Sequence, residues 1–219
     1  MESLKRSYVA FFDVDKTILS INSGPALVRD AYRKGLMSTA DLLNAIYFSF
    51  LHKFDLRDPV LLVSGMGKWL RGVRVEKMDQ LAESIVNEHL IRHIRPEILS
   101  EMHFHRKNNG EIVILSSVVT QIGRLLGSHL GVDNNICTVM QEKDGFFTGM
   151  PEDNYCIGDE KRVRLIRYCE AGNYKLSDAF YYGDSISDYY ALNVVGNPVC
   201  VKPDSKLARI ATREGWKII

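Results

Sequence analysis

Near the amino terminus an apolar run, Tyr8 to Phe12, ends in two acids one residue apart, Asp13 and Asp15, with Thr17 two residues further on. Carboxylates so spaced are candidates for nucleophilic, acid–base or metal-binding work. They are equally candidates for a capped turn, since Asp and Thr accept backbone N–H groups, and D-x-D-x-T alone does not decide. Three further groups lie downstream: Ser116 with Ser117, then Lys161, then Asp184 with Asp188. Singly, each has an ordinary structural use, as a capping serine, a solvated helix lysine or a glycine-aspartate turn.

The elements that must position these residues are legible in the apolar pattern. Val9 to Phe12 shows no alternation, which fits a parallel strand covered on both faces. The acids then sit at its carboxyl end, the edge where open α/β sheets bind ligands. Glu111 to Leu115 is a second such run, ending at Ser116 and followed by an amphipathic stretch to His129. Ile136 to Met140 reads as a third strand, and Lys143-Asp144-Gly145 as a hairpin turn. Gly158 to Glu170 reads as a helix carrying Lys161, and Ala179 to Tyr182 as a strand ending in Gly183-Asp184. Val199 to Val201 and Trp216 to Ile219 supply edge strands.

Between the first two strands the spacing predicts only helices, over Ala26–Lys34, Thr39–Lys53, Pro59–Leu70, Val75–Leu90 and Pro96–Lys107. The expected architecture is an α/β, Rossmann-like parallel-sheet core formed by residues 1–19 and 106–219, with a helical cap inserted at 20–105.

Composition narrows the function. Lys and Arg total 28 against 27 Asp and Glu, and the net charge of +1 offers no field to recruit nucleic acid or an anionic membrane. With 46% hydrophobic and 25% charged residues, the chain has the balance of a globular protein. Cys137, Cys156, Cys169 and Cys200 form no C-x-x-C, so neither a zinc site nor a disulfide framework is indicated. The first apolar run is broken by Asp13, too soon for a signal peptide. The longest apolar stretch, Leu42 to Leu51, falls short of the ~20 residues that span a bilayer, so a cytoplasmic location is expected. His89, His93, His103 and His105 lie on helical stretches without a matched acid cluster and read as structural or surface residues.

Taken together, Asp13-x-Asp15-x-Thr17, Ser116 at a strand end, Lys161 on a helix and G-D-S-I-S-D at 183–188 resemble the four motifs of the haloacid dehalogenase (HAD) superfamily. The resemblance covers essentially the whole chain. It is closest to the phosphoserine phosphatase-like branch, whose members are similar in carrying a helical cap between the first two motifs and a small hairpin between the second and third. I-G-D-E-K, Y-Y-G-D-S-I-S-D and N-P-V-C-V-K-P-D followed by a Trp near the terminus resemble that branch in sequence and order. Lys16 replaces the Gly of the commonest first motif.

The resemblance implies a Mg²⁺-dependent phosphatase working through an aspartyl phosphate. Asp13 is then the nucleophile and Asp15 the acid–base residue, while Lys161, Ser116 and Ser117 hold the phosphoryl group. Asp13, Asp15 and Asp184 hold the metal, with Asp188 supporting the metal's surroundings. Electrostatics points the same way, because three acids at one sheet edge repel one another unless a hard cation sits among them. The expected partner is a small phosphorylated metabolite. The branch usually carries a Glu nine residues after the nucleophile to neutralise the substrate's amino group, and here that position is Asn22, so phosphoserine itself is not favoured. Phosphoserine phosphatase proper and a phosphotransferase or phosphomutase are the enzymatic alternatives, and a receiver-like phosphate-binding signalling domain the non-enzymatic one. A receiver would be shorter and have no helical cap.

Overall fold

The computed structural model describes residues 6–53 and 67–219. Its sheet is built around β1, Tyr8–Phe12, in which Val9 to Phe12 are fully buried. Ala10 and Phe12 enter one apolar cluster and Val9 and Phe11 the other. A run without polar alternation is what a strand covered on both faces requires, and each buried Phe contributes roughly 2–3 kcal/mol.

From β1 the chain passes through the helical insertion to β2 (Gly110–Val119) and then to β3 (Asn134–Thr138). A separate antiparallel hairpin, β4 (Met140–Lys143) and β5 (Phe146–Pro151), follows. It turns through Asp144 and Gly145, both at positive φ (53° and 80°), the conformation two-residue hairpin turns need. The chain then returns to the other side of β1 to lay down β6 (Phe180–Gly183), β7 (Asn197–Cys200) and β8 (Lys217–Ile218). The six-stranded sheet is parallel throughout, in the order β3-β2-β1-β6-β7-β8. The order reverses at β1, and in open sheets of this kind the carboxyl edge at such a reversal, here that of β1 and β6, is where ligands belong.

The expected strands all form, with shifted ends. β2 does not stop at Leu115 but runs through Ser116 and Ser117, because after a register shift Val119 pairs with Thr138 of β3. The insertion holds α1 (Gly24–Arg33), α2 (Thr39–Lys53), α3 (Val75–Ile85) and α4 (Pro96–Lys107). The helix expected over Val75–Leu90 is regular only to Ile85, and Val86–Leu90 continue in a wider turn. The helix expected at Pro59–Leu70 lies outside the described residues up to position 66, and Lys68–Leu70 form one short turn. Downstream are α5 (Thr120–Leu130), α6 (Asp159–Gly172), the short α7 (Tyr189–Leu192) and α8 (Ser205–Glu214).

Backbone hydrogen bonds join the insertion to the sheet region at two places among the described residues. Its first and last segments run antiparallel: Ser20 N–H donates to His93 O at 2.8 Å, and Arg95 N–H donates to Ile18 O at 2.9 Å. The β4–β5 hairpin meets residues 72–75, with Gly72 N–H donating to Phe147 O at 2.9 Å and Phe147 N–H to Val73 O at 3.0 Å. Helix α4 packs on β2 and carries His105, fully buried between Tyr8 and Tyr182. Tyr182 donates to Glu101 at 2.6 Å, so it accepts from His105 Nε2 at 2.9 Å, and Nδ1 accepts from Tyr8 at 2.9 Å. Burial pushes this imidazole down to about 4, keeping it neutral, and its role is structural. All four cysteines are free and buried. No helix among the described residues is long and apolar enough to cross a membrane.

Candidate active site

Asp13 follows β1 directly, and its N–H donates to Tyr182 O of β6 at 3.0 Å, which ties the two strand ends together. Val14–Ile18 make a tight turn in which Asp15 is extended (φ −69°, ψ 128°) and Lys16 left-handed (φ 56°, ψ −3°). Leu19 N–H closes it onto Val14 O at 2.9 Å. The turn aims the two acids at different partners. The Asp15 carboxylate takes Ser23 N–H at 2.8 Å and Ser23 Oγ at 3.1 Å. Asp13 instead meets Lys161 of α6, whose Nζ lies 2.7 Å from its Oδ1.

Lys161 is buried and also donates to Asp188 Oδ1 at 2.6 Å. The same oxygen of Asp188 accepts the Tyr181 hydroxyl at 2.7 Å. Its Oδ2 accepts Asp184 N–H and Ser185 N–H, each at 3.2 Å, and Ser185 Oγ at 3.3 Å. Both oxygens of Asp188 are therefore engaged. This close fit needs Gly183, since a Cβ there would stand 2.7 Å from Asp188 Cβ and Cγ. By contrast, among the described residues no donor reaches Asp13 Oδ2 or the Asp184 carboxylate.

Asp13, Asp184 and Asp188 are all buried, and each offers an oxygen within 4.8 Å of the others'. Burial, partly offset by Lys161, raises Asp13 to about 7. Burial followed by the charges of Asp188 and Asp13 raises Asp184 to about 8. Burial alone would raise Asp188 too, but Lys161 and its other donors hold it below the usual carboxylate range. Burial likewise raises Asp15, against the two bonds from Ser23. Lys161 is held well above its ordinary value because Asp13 and Asp188 outweigh the burial that would lower it.

The donor set fits a magnesium ion. It is all oxygen, it carries more negative charge than Lys161 neutralises, and two of its carboxylates have oxygens to spare.

The remaining sequence candidates fall around this cluster. Ser116 is fully buried, two residues beyond Ile114, the partner of Phe12, and so flanks the acids from β2. Its Oγ takes only a long 3.5 Å contact from Val118 N–H. Ser117 is partly buried and its carbonyl accepts Thr138 Oγ1 at 3.0 Å. Asn22 is exposed, one residue before Ser23. Ser23 and Tyr181, both in contact with the predicted set, were missed. Ser23 had a signal, a serine before Gly24-Pro25 where a helix begins. Tyr181 had none, since a Tyr in an apolar run reads as core.

The chain is similar to known proteins over nearly its whole length. Residues 10–193 match the family described as haloacid dehalogenase-like hydrolase. The chain is 27% identical over 218 residues to phosphoserine phosphatase SerB1 of Mycobacterium tuberculosis (strain ATCC 25618 / H37Rv), covering 95% of this chain and 69% of that protein. It is 25% identical over 223 residues to histidinol-phosphatase of Neisseria meningitidis serogroup C (strain 8013), covering 96% and 97% respectively. A solved structure of a substrate-bound phosphoserine phosphatase complex shares the fold with a TM-score of 0.73 at 14% identity, covering 100% of this chain and 94% of that one. The chain belongs to the haloacid dehalogenase-like hydrolase family.

Proposed function

We propose that this protein is a Mg²⁺-dependent phosphatase that hydrolyses small phosphomonoesters through an aspartyl phosphate on Asp13. The observation that carries the reading is the division of labour among the acids. Lys161 and four other donors occupy Asp188, while Asp13 keeps one oxygen without a donor among the described residues. A carboxylate held by one oxygen and open at the other is posed to attack. The Asp13 side chain, the Asp184 carboxylate and the Asp15 carbonyl would hold the ion, with Asp188 as their support. Bound there, Mg²⁺ offsets the repulsion between carboxylate and phosphate.

Asp13 forms a bond to phosphorus as the bond to the leaving alcohol oxygen breaks. Asp15, whose carboxyl burial pushes above its ordinary value, gives that oxygen its proton. Water then attacks the phosphoryl group, Asp15 takes up the water's proton, and orthophosphate leaves Asp13 free. Lys161 and the Ser116 hydroxyl stabilise the charge on the transferring group, with Ser117 beside them. Residues 20–105 act as a cap over this site, with the Asn22 stretch at its threshold selecting the leaving group. An amide there offers no charge to an ammonium, so the substrate alcohol differs from serine.

The test is phosphate release from a panel of phosphorylated metabolites, with and without Mg²⁺, by the wild type and by Asp13→Asn. Turnover that needs Mg²⁺ and vanishes in the variant is expected. Turnover retained in Asp13→Asn removes the nucleophile from the mechanism.

A further inference from the structure

Tyr181 lies on β6 in the apolar cluster of Leu165, Cys169, Ala191 and Leu192, fully buried. Its ring belongs to the core, but its hydroxyl reaches the carboxyl edge of the sheet and ends 2.7 Å from Asp188 Oδ1. That oxygen is also the one 2.6 Å from Lys161 Nζ, and Lys161 in turn lies 2.7 Å from Asp13. A phenylalanine would fill the same space, so packing does not account for the hydroxyl.

Two donors on one oxygen share it. Without the hydroxyl, the full charge of Oδ1 is left to Lys161, which is then drawn toward Asp188 and away from Asp13. The carboxylate also loses the contact that fixes its rotation, and its other oxygen carries the N–H groups of Asp184 and Ser185. One bond therefore bears on both halves of the site.

We propose that Tyr181 is a positioning residue: its hydroxyl fixes the Asp188 carboxylate so that one oxygen presents Lys161 to Asp13 and the other holds the backbone that carries Asp184. The inference rests on the roles proposed above for Asp13, Lys161 and Asp184. It adds a residue that touches neither substrate nor ion. Supporting groups of this kind typically change metal affinity or activity by ~10- to 100-fold when removed.

The experiment compares the wild type, Tyr181→Phe and Cys169→Ala, the last a packing change in the same cluster. Two quantities are read: the midpoint of the Mg²⁺-induced rise in melting temperature, without substrate, and kcat and KM for p-nitrophenyl phosphate. Tyr181→Phe is expected to fold, to need ~10-fold more Mg²⁺ for the thermal shift, and to lose ~10-fold or more in kcat with KM within about threefold. Cys169→Ala is expected to melt lower with the Mg²⁺ midpoint in place. A Tyr181→Phe protein with the wild-type midpoint and kcat overturns the positioning role. So does a Cys169→Ala protein whose midpoint moves as far, because packing alone would then suffice. A wild type that releases phosphate neither from p-nitrophenyl phosphate nor from the metabolite panel overturns the phosphatase reading itself, and the role of Tyr181 with it.

Discussion

Replacing Lys161 by Met keeps the length and apolar stem of the side chain and removes the one ammonium that lies between Asp13 and Asp188, 2.7 Å and 2.6 Å away. Both acids are buried, so the variant leaves two carboxylates without their cation. Breaking a buried pair by removing one partner costs ~3–5 kcal/mol. At roughly 2–4 °C per kcal/mol for a chain of this size, the metal-free variant should melt ~6–20 °C below the wild type at about pH 8.5. The loss should shrink as pH falls. Burial already holds Asp13 up at about 7 with Lys161 lowering it, so without Lys161 the value rises further.

A carboxyl group whose folded pKa lies above its unfolded value binds protons in the native state that the unfolded chain does not, and stability therefore increases on acidification through that window. The gap between variant and wild type should narrow toward about pH 5.5, where Asp13 is protonated and needs no cation. If Mg²⁺ binds as proposed, it should recover part of the loss at high pH, since an ion held only by the folded site stabilises it. Scanning calorimetry at the two pH values, with and without Mg²⁺, measures all three effects. An equal loss at both, unmoved by Mg²⁺, would show that Lys161 matters for packing and not for charge, and would refute the reasoning.

Two other substitutions test the geometry at neighbouring points. Gly183→Ala places a Cβ 2.7 Å from Asp188 Cβ and Cγ, so the acid must shift off Lys161; ~1–3 kcal/mol of stability and ~10- to 100-fold of kcat should go, read by denaturant titration and phosphate release. Lys16→Gly should raise the melting temperature by at most ~2 °C in a thermal scan, because glycine avoids the ~1 kcal/mol that φ 56° costs a lysine but loses most of that gain to its greater freedom in the unfolded chain, and a fall of several degrees would show the turn is unstrained.

How much of this was readable in the chain depends on the range of each signal. The strand β1 was legible because both of its faces are buried, so the apolar run is unbroken, and Asp13 and Asp184 were legible because each follows directly on such a run. The ends of β2 were not: Ser116 and Ser117 look like a polar stop, and only pairing with β3 carries the strand to Val119. The different aims of Asp13 and Asp15 were hidden as well, since they depend on a left-handed Lys16 and on Ser23, eight residues beyond Asp15. Tyr181 was hidden for a simpler reason. Its hydroxyl matters through Asp188, and a period-two pattern reports which face a side chain takes, not how far it reaches.

The antiparallel contact between Ile18–Ser20 and His93–Arg95 has a consequence for how such an enzyme can change. The two ends of the intervening segment are pinned side by side, so the chain leaves and rejoins the sheet region at one place, while residues 72–75 on the β4–β5 hairpin and α3 on α5 seat the segment elsewhere. Its length and content can vary at little cost in closure entropy, which grows only slowly with the residues enclosed. On the role proposed above for this segment, selectivity could be rewritten by exchange of one continuous stretch of gene, while the strand ends that carry the acids are inherited untouched.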